Sequence, residues 1–200
     1  MNDAPRKAPR QRRSRETVDV MLEAAAQVFD REGLSATTNR IAEKAGVSIG
    51  SIYQYFPNKQ ALLYALAQRH VKKAVERLDA VFDQLRVQEP PFEDTMRTIL
   101  DTLVALHSDR PGLHGLMHRV VPARAAELVA LQRFEDHLTH EVAFHLRRCG
   151  VGGRVGDDES ALATAQVLVH TVDAQLHRVM PRRGMDTEPL LELVLRLLGD

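Results

Sequence analysis

The chain has 200 residues, 44% of them hydrophobic but only 4% aromatic, with no Trp, which leaves room for one large domain or a small module joined to a larger one. Alternating β-branched and aromatic runs are hard to find, which argues against a sheet protein and predicts an all-α fold. Its 27 basic and 27 acidic residues cancel, yet ten basic residues stand against seven acidic ones up to Lys59, so a basic N-terminal module (+3) precedes an acidic body (−3).

Residues 1–14, "MNDAPRKAPRQRRS", hold almost nothing apolar and are expected to form a disordered basic arm, suited to nonspecific phosphate or minor-groove contact. From Ser14, read as an N-cap, Val18, Met21, Leu22, Ala25, Val28 and Phe29 follow helical spacing. Gly33 with Leu34 reads as a left-handed stop and its apolar contact. Thr37 is the expected N-cap of a helix with Ile41, Ala42 and Ala45 on its inner face, ended by Gly46. Ser48 caps another, starting at Ile49 and stopped by Pro57. Asn58 caps a long helix striped by Leu62, Leu63, Leu66, Val75, Leu78, Phe82 and Leu85. Further helices are predicted over 92–106, 113–120, 122–148, 160–179 and 189–198, about nine in all.

Two short helices joined by Gly46-Val47-Ser48 have the layout of a helix-turn-helix. If Ile52 and Phe56 are the second helix's core anchors, then Ile49, Gly50, Ser51, Tyr53, Gln54 and Tyr55 point outward. Such a face suits a DNA major groove: Gln54 and Ser51 for base edges, Ile49 for a thymine methyl, Gly50 for close approach, Tyr53 and Lys59 for phosphates.

The segment "TTNRIAEKAGVSIGSIYQYFPNKQALL" resembles the DNA-binding region of the TetR family of bacterial repressors. Thr37, Ile41-Ala42, Ala45-Gly46-Val47-Ser48, Gly50, Tyr53, Phe56, Lys59 and Leu62 carry the likeness, supported by Ala24-Ala25, Phe29 and Gly33. The resemblance covers residues 15–65. It implies phosphate contacts from Thr37, Ser48, Tyr53 and Lys59, and base-edge contacts from Asn39, Ile49, Gly50, Ser51, Gln54 and Tyr55. It also implies a division into a basic arm (1–14), a three-helix DNA-binding domain (15–57) and a larger helical effector-binding and dimerisation domain (58–200).

The last helix, "PLLELVLRLL", is apolar nearly all round, and 160–179 offers a second apolar stripe through Ala161, Ala165, Leu168 and Val172. With the resemblance, these two helices are expected to build a homodimer across a two-fold axis. The expected function is a transcriptional regulator that binds a palindromic operator in double-stranded DNA, most simply a repressor released by a small-molecule effector. Candidate effector contacts are Met96, Leu103, His114, Met117, His118, Phe134, His137 and His170, bulky or polarisable residues at helix-facing positions.

Other chemistries find less support. His114/His118, His137/His140 and His170/His177 each share a helix face, but no HExxH or Cys-His set accompanies them, and neither a metal nor a cofactor is expected. "GVGGRVGDD" follows a helix and lacks a Gly-Lys-Ser/Thr ending, so it reads as a loop. The single Cys149 excludes an intrachain disulfide framework and reads as an inert thiol. With no signal-peptide core and no apolar run long enough to span a bilayer, a cytoplasmic chain without membrane contact is expected. No nucleophile elbow or carboxylate pair points to an enzyme. Two alternatives stay open: a helical ligand-binding or enzymatic protein with a vestigial helix-turn-helix, and an architectural DNA-binding protein without an effector.

Overall fold

The computed structural model describes residues 12–120, 125–151 and 158–199. Among them the order is α1 (Arg12–Glu32), a 3-10 turn (Gly33–Ser35), α2 (Thr38–Ala45), α3 (Ile49–Tyr55), α4 (Lys59–Gln88), α5 (Phe92–Ser108), α6 (Pro111–Val120) and α7 (Ala125–Cys149). There follow α8 (Asp158–Ala174), a π-helical stretch (Gln175–Val179), α9 (Met180–Arg183) and α10 (Glu188–Leu198). Because α8, the π stretch and α9 run on without a break, nine helical rods and no strands make up the described residues, and the all-α expectation holds. Most of the expected basic arm, the start of the helix expected at Pro122, and most of the "GVGGRVGDD" loop lie outside the described residues.

The punctuation read from the sequence does the expected work. Thr37 Oγ1 accepts the Arg40 N–H at 3.3 Å, Ser48 Oγ accepts the Ser51 N–H at 3.0 Å, and Asn58 Oδ1 accepts the Ala61 N–H at 2.9 Å. Gly46 ends α2 at φ 66°, and Gly33 leaves α1 at φ 57°, a left-handed conformation that costs a residue with a Cβ far more than glycine. Two details differ. The apolar contact expected of Leu34 is absent, since that side chain is 61% exposed. Ser14 is not a cap: α1 begins at Arg12, and the Ser14 hydroxyl is hydrogen bonded to that of Tyr55 at 2.8 Å.

The chain separates into two compact units, Met1–His70 with Arg110–Glu127, and Val71–Asp109 with Leu128–Asp200. In the first, Met21, Ala25, Phe29, Ile41, Ile52, Leu62 and Leu116 close a core with almost no exposure. The start of α6 lies hard against the end of α1. A Cβ on Gly112 would stand 2.4 Å from the Asp30 carbonyl oxygen, so only glycine fits there. The Leu113 N–H donates to Asp30 Oδ1 at 3.0 Å. Arg110 donates to Glu23 Oε1 at 2.6 Å, and this bond, helped by one from Gln27, holds the Glu23 carboxyl below its usual range.

The second unit centres on Leu78, Phe82, Leu85, Ile99, Leu100, Leu146, Leu168 and Leu191. Here one expectation needs correcting. Ala161, Ala165, Leu168 and Val172 are buried within the chain itself, not on an outer surface. Two alanines on that stripe let α8 lie close to the core, so it is taken up internally. The outer side of α8 instead shows Leu162 and Val167, the latter 57% exposed. In α10, Leu190, Leu191 and Val194 are buried while Leu197 is 49% exposed, so a single chain covers only one side of that helix.

Candidate nucleic-acid interface

Helix α3 is short and held from below. Ile52 is fully buried, and Phe56, its C-cap, nearly so. Positions i−3, i and i+3 share a helix face, and accordingly Ile49 and Tyr55 are half-buried and packed against the same core. The outward orientation expected of Ile49 and Tyr55 is therefore corrected. Tyr55 leans inward because it follows Ile52 by three, and its hydroxyl is tied to Ser14. What α3 shows to solvent is Gly50, Tyr53 and Gln54, with Ser51 at the edge.

Tyr53 is 43% exposed, and its hydroxyl is hydrogen bonded to Thr38 Oγ1 at 3.1 Å, fixing the ring across the start of α2. Lys59 Nζ donates to the carbonyl oxygens of Leu34 at 2.6 Å and Ala36 at 3.2 Å. An ammonium has three donors and no acceptor, so these two bonds station its charge beside the Thr37 cap. Thr37, Thr38, Tyr53 and Lys59 thus come together at the N-terminus of α2, where the helix dipole and orphan N–H groups favour an anion. Thr38 was not singled out from the sequence; the paired threonines at the cap were the signal for it. Asn39 and Lys44 are exposed on α2, and Arg40 is paired with Glu32 at 3.2 Å.

On α3, the Ser48 and Ser51 hydroxyls lie 2.8 Å apart, so both belong to the cap. A Cβ on Gly50 would meet nothing nearer than Ser48 Oγ at 3.7 Å, an ordinary contact. The protein itself has no need of a glycine at that point.

The residues expected to line an effector site do not form one group. Met117 is buried in the core of the first unit, and His114, also there, makes an edge-to-face ring contact with His70, centroids 4.1 Å apart. His118 lies on α6, its side chain outside the described residues. Met96 and Leu103 are core residues of the second unit, with Phe134 packed against that core. There too, His137 Nε2 lies 2.7 Å from Asp79 Oδ1, and His170 is exposed.

Among the described residues, two capped short helices joined by a tight turn, the second anchored on the core by Ile52 and Phe56, make a helix-turn-helix. Residues 21–66 match the family model described as bacterial regulatory proteins, tetR family. Over those residues the chain is similar to the DNA-binding region of TetR-family regulators. It is 28% identical over 151 residues to the nucleoid occlusion factor SlmA of Actinobacillus pleuropneumoniae serotype 5b, covering 72% of this chain and 70% of that one. To an HTH-type transcriptional regulator of Staphylococcus aureus (strain USA300) it is 29% identical, over 46% of this chain and 48% of that one. Among solved structures, the fatty acid degradation regulator FadR from Bacillus halodurans shares the fold with TM-score 0.68 and 22% identity, covering 92% of this chain and 95% of that one. A TetR-like regulator from Rhodococcus sp. RHA1 does so with TM-score 0.66 and 23% identity, over 94% and 95%. Among the described residues no helix is long and apolar enough to cross a membrane.

Proposed function

We propose that the chain acts in the cytoplasm as a homodimer that binds a palindromic operator through α3 and is released, as a repressor, by a small-molecule effector. The observation that carries this reading is the division of labour on α3: Ile52 anchors it, while Gly50, Tyr53 and Gln54 stay outside beside the Lys59 and Thr37 patch. In this reading Thr37, Ser48, Tyr53 and Lys59 hold phosphates. Asn39, Gly50, Ser51 and Gln54 meet base edges, with Ile49 and Tyr55 contributing only from the edge of the face. Leu162, Val167 and Leu197 supply the apolar surface for a second subunit, and two α3 helices then read half-sites about one DNA turn apart. The effector is assigned to the second unit, where Met96, Leu103, Phe134 and His137 are the positions at which substitution tests it.

The similarity to a nucleoid occlusion factor over 72% of this chain favours a second reading, a DNA-bound protein indifferent to small effectors. One experiment separates the two. Gel retardation of DNA from upstream of the protein's own gene, with and without metabolite mixtures, gives release in the first case and unaltered binding in the second. No retardation on any DNA, including a randomised pool, would defeat both.

Two substitutions test the assigned roles. Lys59→Ala removes one phosphate contact and is expected to lower the slope of log affinity against log salt by about 1. If affinity falls while the slope stays put, Lys59 serves only the Leu34 and Ala36 carbonyls. Gln54→Ala is expected to change which sequences a selection from random DNA recovers more than it weakens binding. A uniform loss across all sequences would remove Gln54 from base reading.

A further inference from the structure

In the second unit, two histidines 70 positions apart meet nitrogen to nitrogen. His107 Nε2 on α5 lies 3.1 Å from His177 Nε2 in the π stretch, with ring centroids 4.7 Å apart and planes inclined at 71°. The opposite nitrogen of each ring is already committed. His107 Nδ1 is 2.7 Å from the Leu103 carbonyl oxygen; His177 Nδ1 is 3.0 Å from the Asp173 carbonyl oxygen and 2.9 Å from its carboxylate. Carbonyl and carboxylate oxygens only accept, so each Nδ1 carries the hydrogen. In a neutral imidazole the other nitrogen then presents a lone pair, and here two lone pairs face each other at hydrogen-bond range. That arrangement calls for a cation between them.

We propose that His107 and His177 are two ligands of a divalent transition-metal site, of the zinc, nickel or copper class, held in the second unit. The geometry fits. Two imidazoles on one ion, with metal–nitrogen bonds of about 2.0–2.1 Å and an angle of about 100°, hold their nitrogens about 3.1 Å and their ring centres about 4.9 Å apart. Each ring has the outer hydrogen bond that orients a metal-bound histidine, and for His177 it is the carboxylate of Asp173. Imidazole ligands select zinc, nickel and copper over magnesium and calcium. His177 is carried by a π-helical turn, closed by the Met180 N–H on the Gln175 carbonyl; such turns are rare and gather at functional sites. Water or further ligands complete the coordination.

The proposal stands apart from the DNA-binding reading, because its test is metal binding by the whole chain without DNA. Chelator-stripped protein is titrated with zinc and, separately, with cobalt, the latter followed by visible absorption. Wild type is expected to take up one ion per chain. His107→Gln and His177→Gln are each expected to weaken uptake at least tenfold, with helicity by circular dichroism unchanged. Asp173→Asn should weaken it less, and His140→Ala, an exposed histidine elsewhere on α7, not at all. X-ray absorption on the zinc-loaded wild type should show imidazole scattering and needs no variant to fold. Uptake that survives both histidine substitutions would overturn the assignment, as would an absorption spectrum without imidazole. So would failure to bind any of zinc, cobalt or nickel, which would leave a shared proton as the cation between the rings.

Discussion

Gly50→Ala is expected to make the protein more stable and a poorer DNA binder at once. Alanine is favoured over glycine in a helix by roughly 1 kcal/mol, and the added Cβ meets nothing nearer than 3.7 Å within the chain. Thermal unfolding should therefore shift upward by roughly 2–4 °C if the transition is cooperative. Against DNA the sign reverses. If α3 lies in the groove with its glycine toward the base edges, a methyl group there holds the whole helix off. Operator affinity should fall about 10–100-fold, equivalent to about 1.4–2.7 kcal/mol. Fluorescence anisotropy with a selected operator, read beside a melting curve, checks both signs. A more stable variant with undiminished affinity would place Gly50 off the DNA. A less stable one would mean that α3 is packed in some other way. Lys59→Ala and Gln54→Ala cannot separate folding from recognition so cleanly, because Lys59 also holds two backbone carbonyls of its own chain.

The second large effect is expected on acidification. His145 on α7 is fully buried, between Phe82 and Phe144. Its Nδ1 accepts the Arg148 Nε–H at 3.3 Å, and its Nε2 is buried without a hydrogen-bond partner among the described residues. Burial disfavours the charged ring, and the positive charge of Arg148 disfavours it further, so its pKa is lowered from 6.5 to about 4. An unfolded chain takes up this proton near pH 6.5, the folded one only near 4, so acid favours the unfolded form. The stability His145 contributes is whole above about pH 6.5 and is lost progressively as the pH falls to about 4, a change on the order of 2–3 kcal/mol. Urea unfolding at pH 7.5, 6.0 and 4.5 measures it. His145→Leu should flatten the dependence across that window. A variant as acid-sensitive as the wild type would assign the loss to other groups.

Much of the candidate site was legible because it is local. The Thr37, Ser48 and Asn58 caps each act three residues ahead, Gly46 turns the chain at a position where a Cβ is disfavoured, and Ile52 and Phe56 are one helical turn apart. Tyr55 shows how an outward reading goes astray. The same four-residue logic that buries Phe56 with Ile52 also turns residue 55 inward, and only counting from Ile52 by three as well as by four reveals it. The α8 stripe misled for a different reason. Periodicity identified the apolar face correctly, but a face's pattern does not say whether its partner lies in the same chain or in another, and here the chain's own core takes it.

By itself the sequence determined the helices, their caps and stops, and the likeness of its helix-turn-helix segment to a known family, since each depends on side chains within a turn or two of one another or on a motif within fifty residues. Tertiary structure alone decided the rest: that α6 closes the core around α1, that Ser14 reaches Tyr55 across 41 positions, and that His107 meets His177 across 70. Such pairs arise from how finished helices pack, and the short-range energetics that write a helix into a sequence carry no record of which distant surface it will meet.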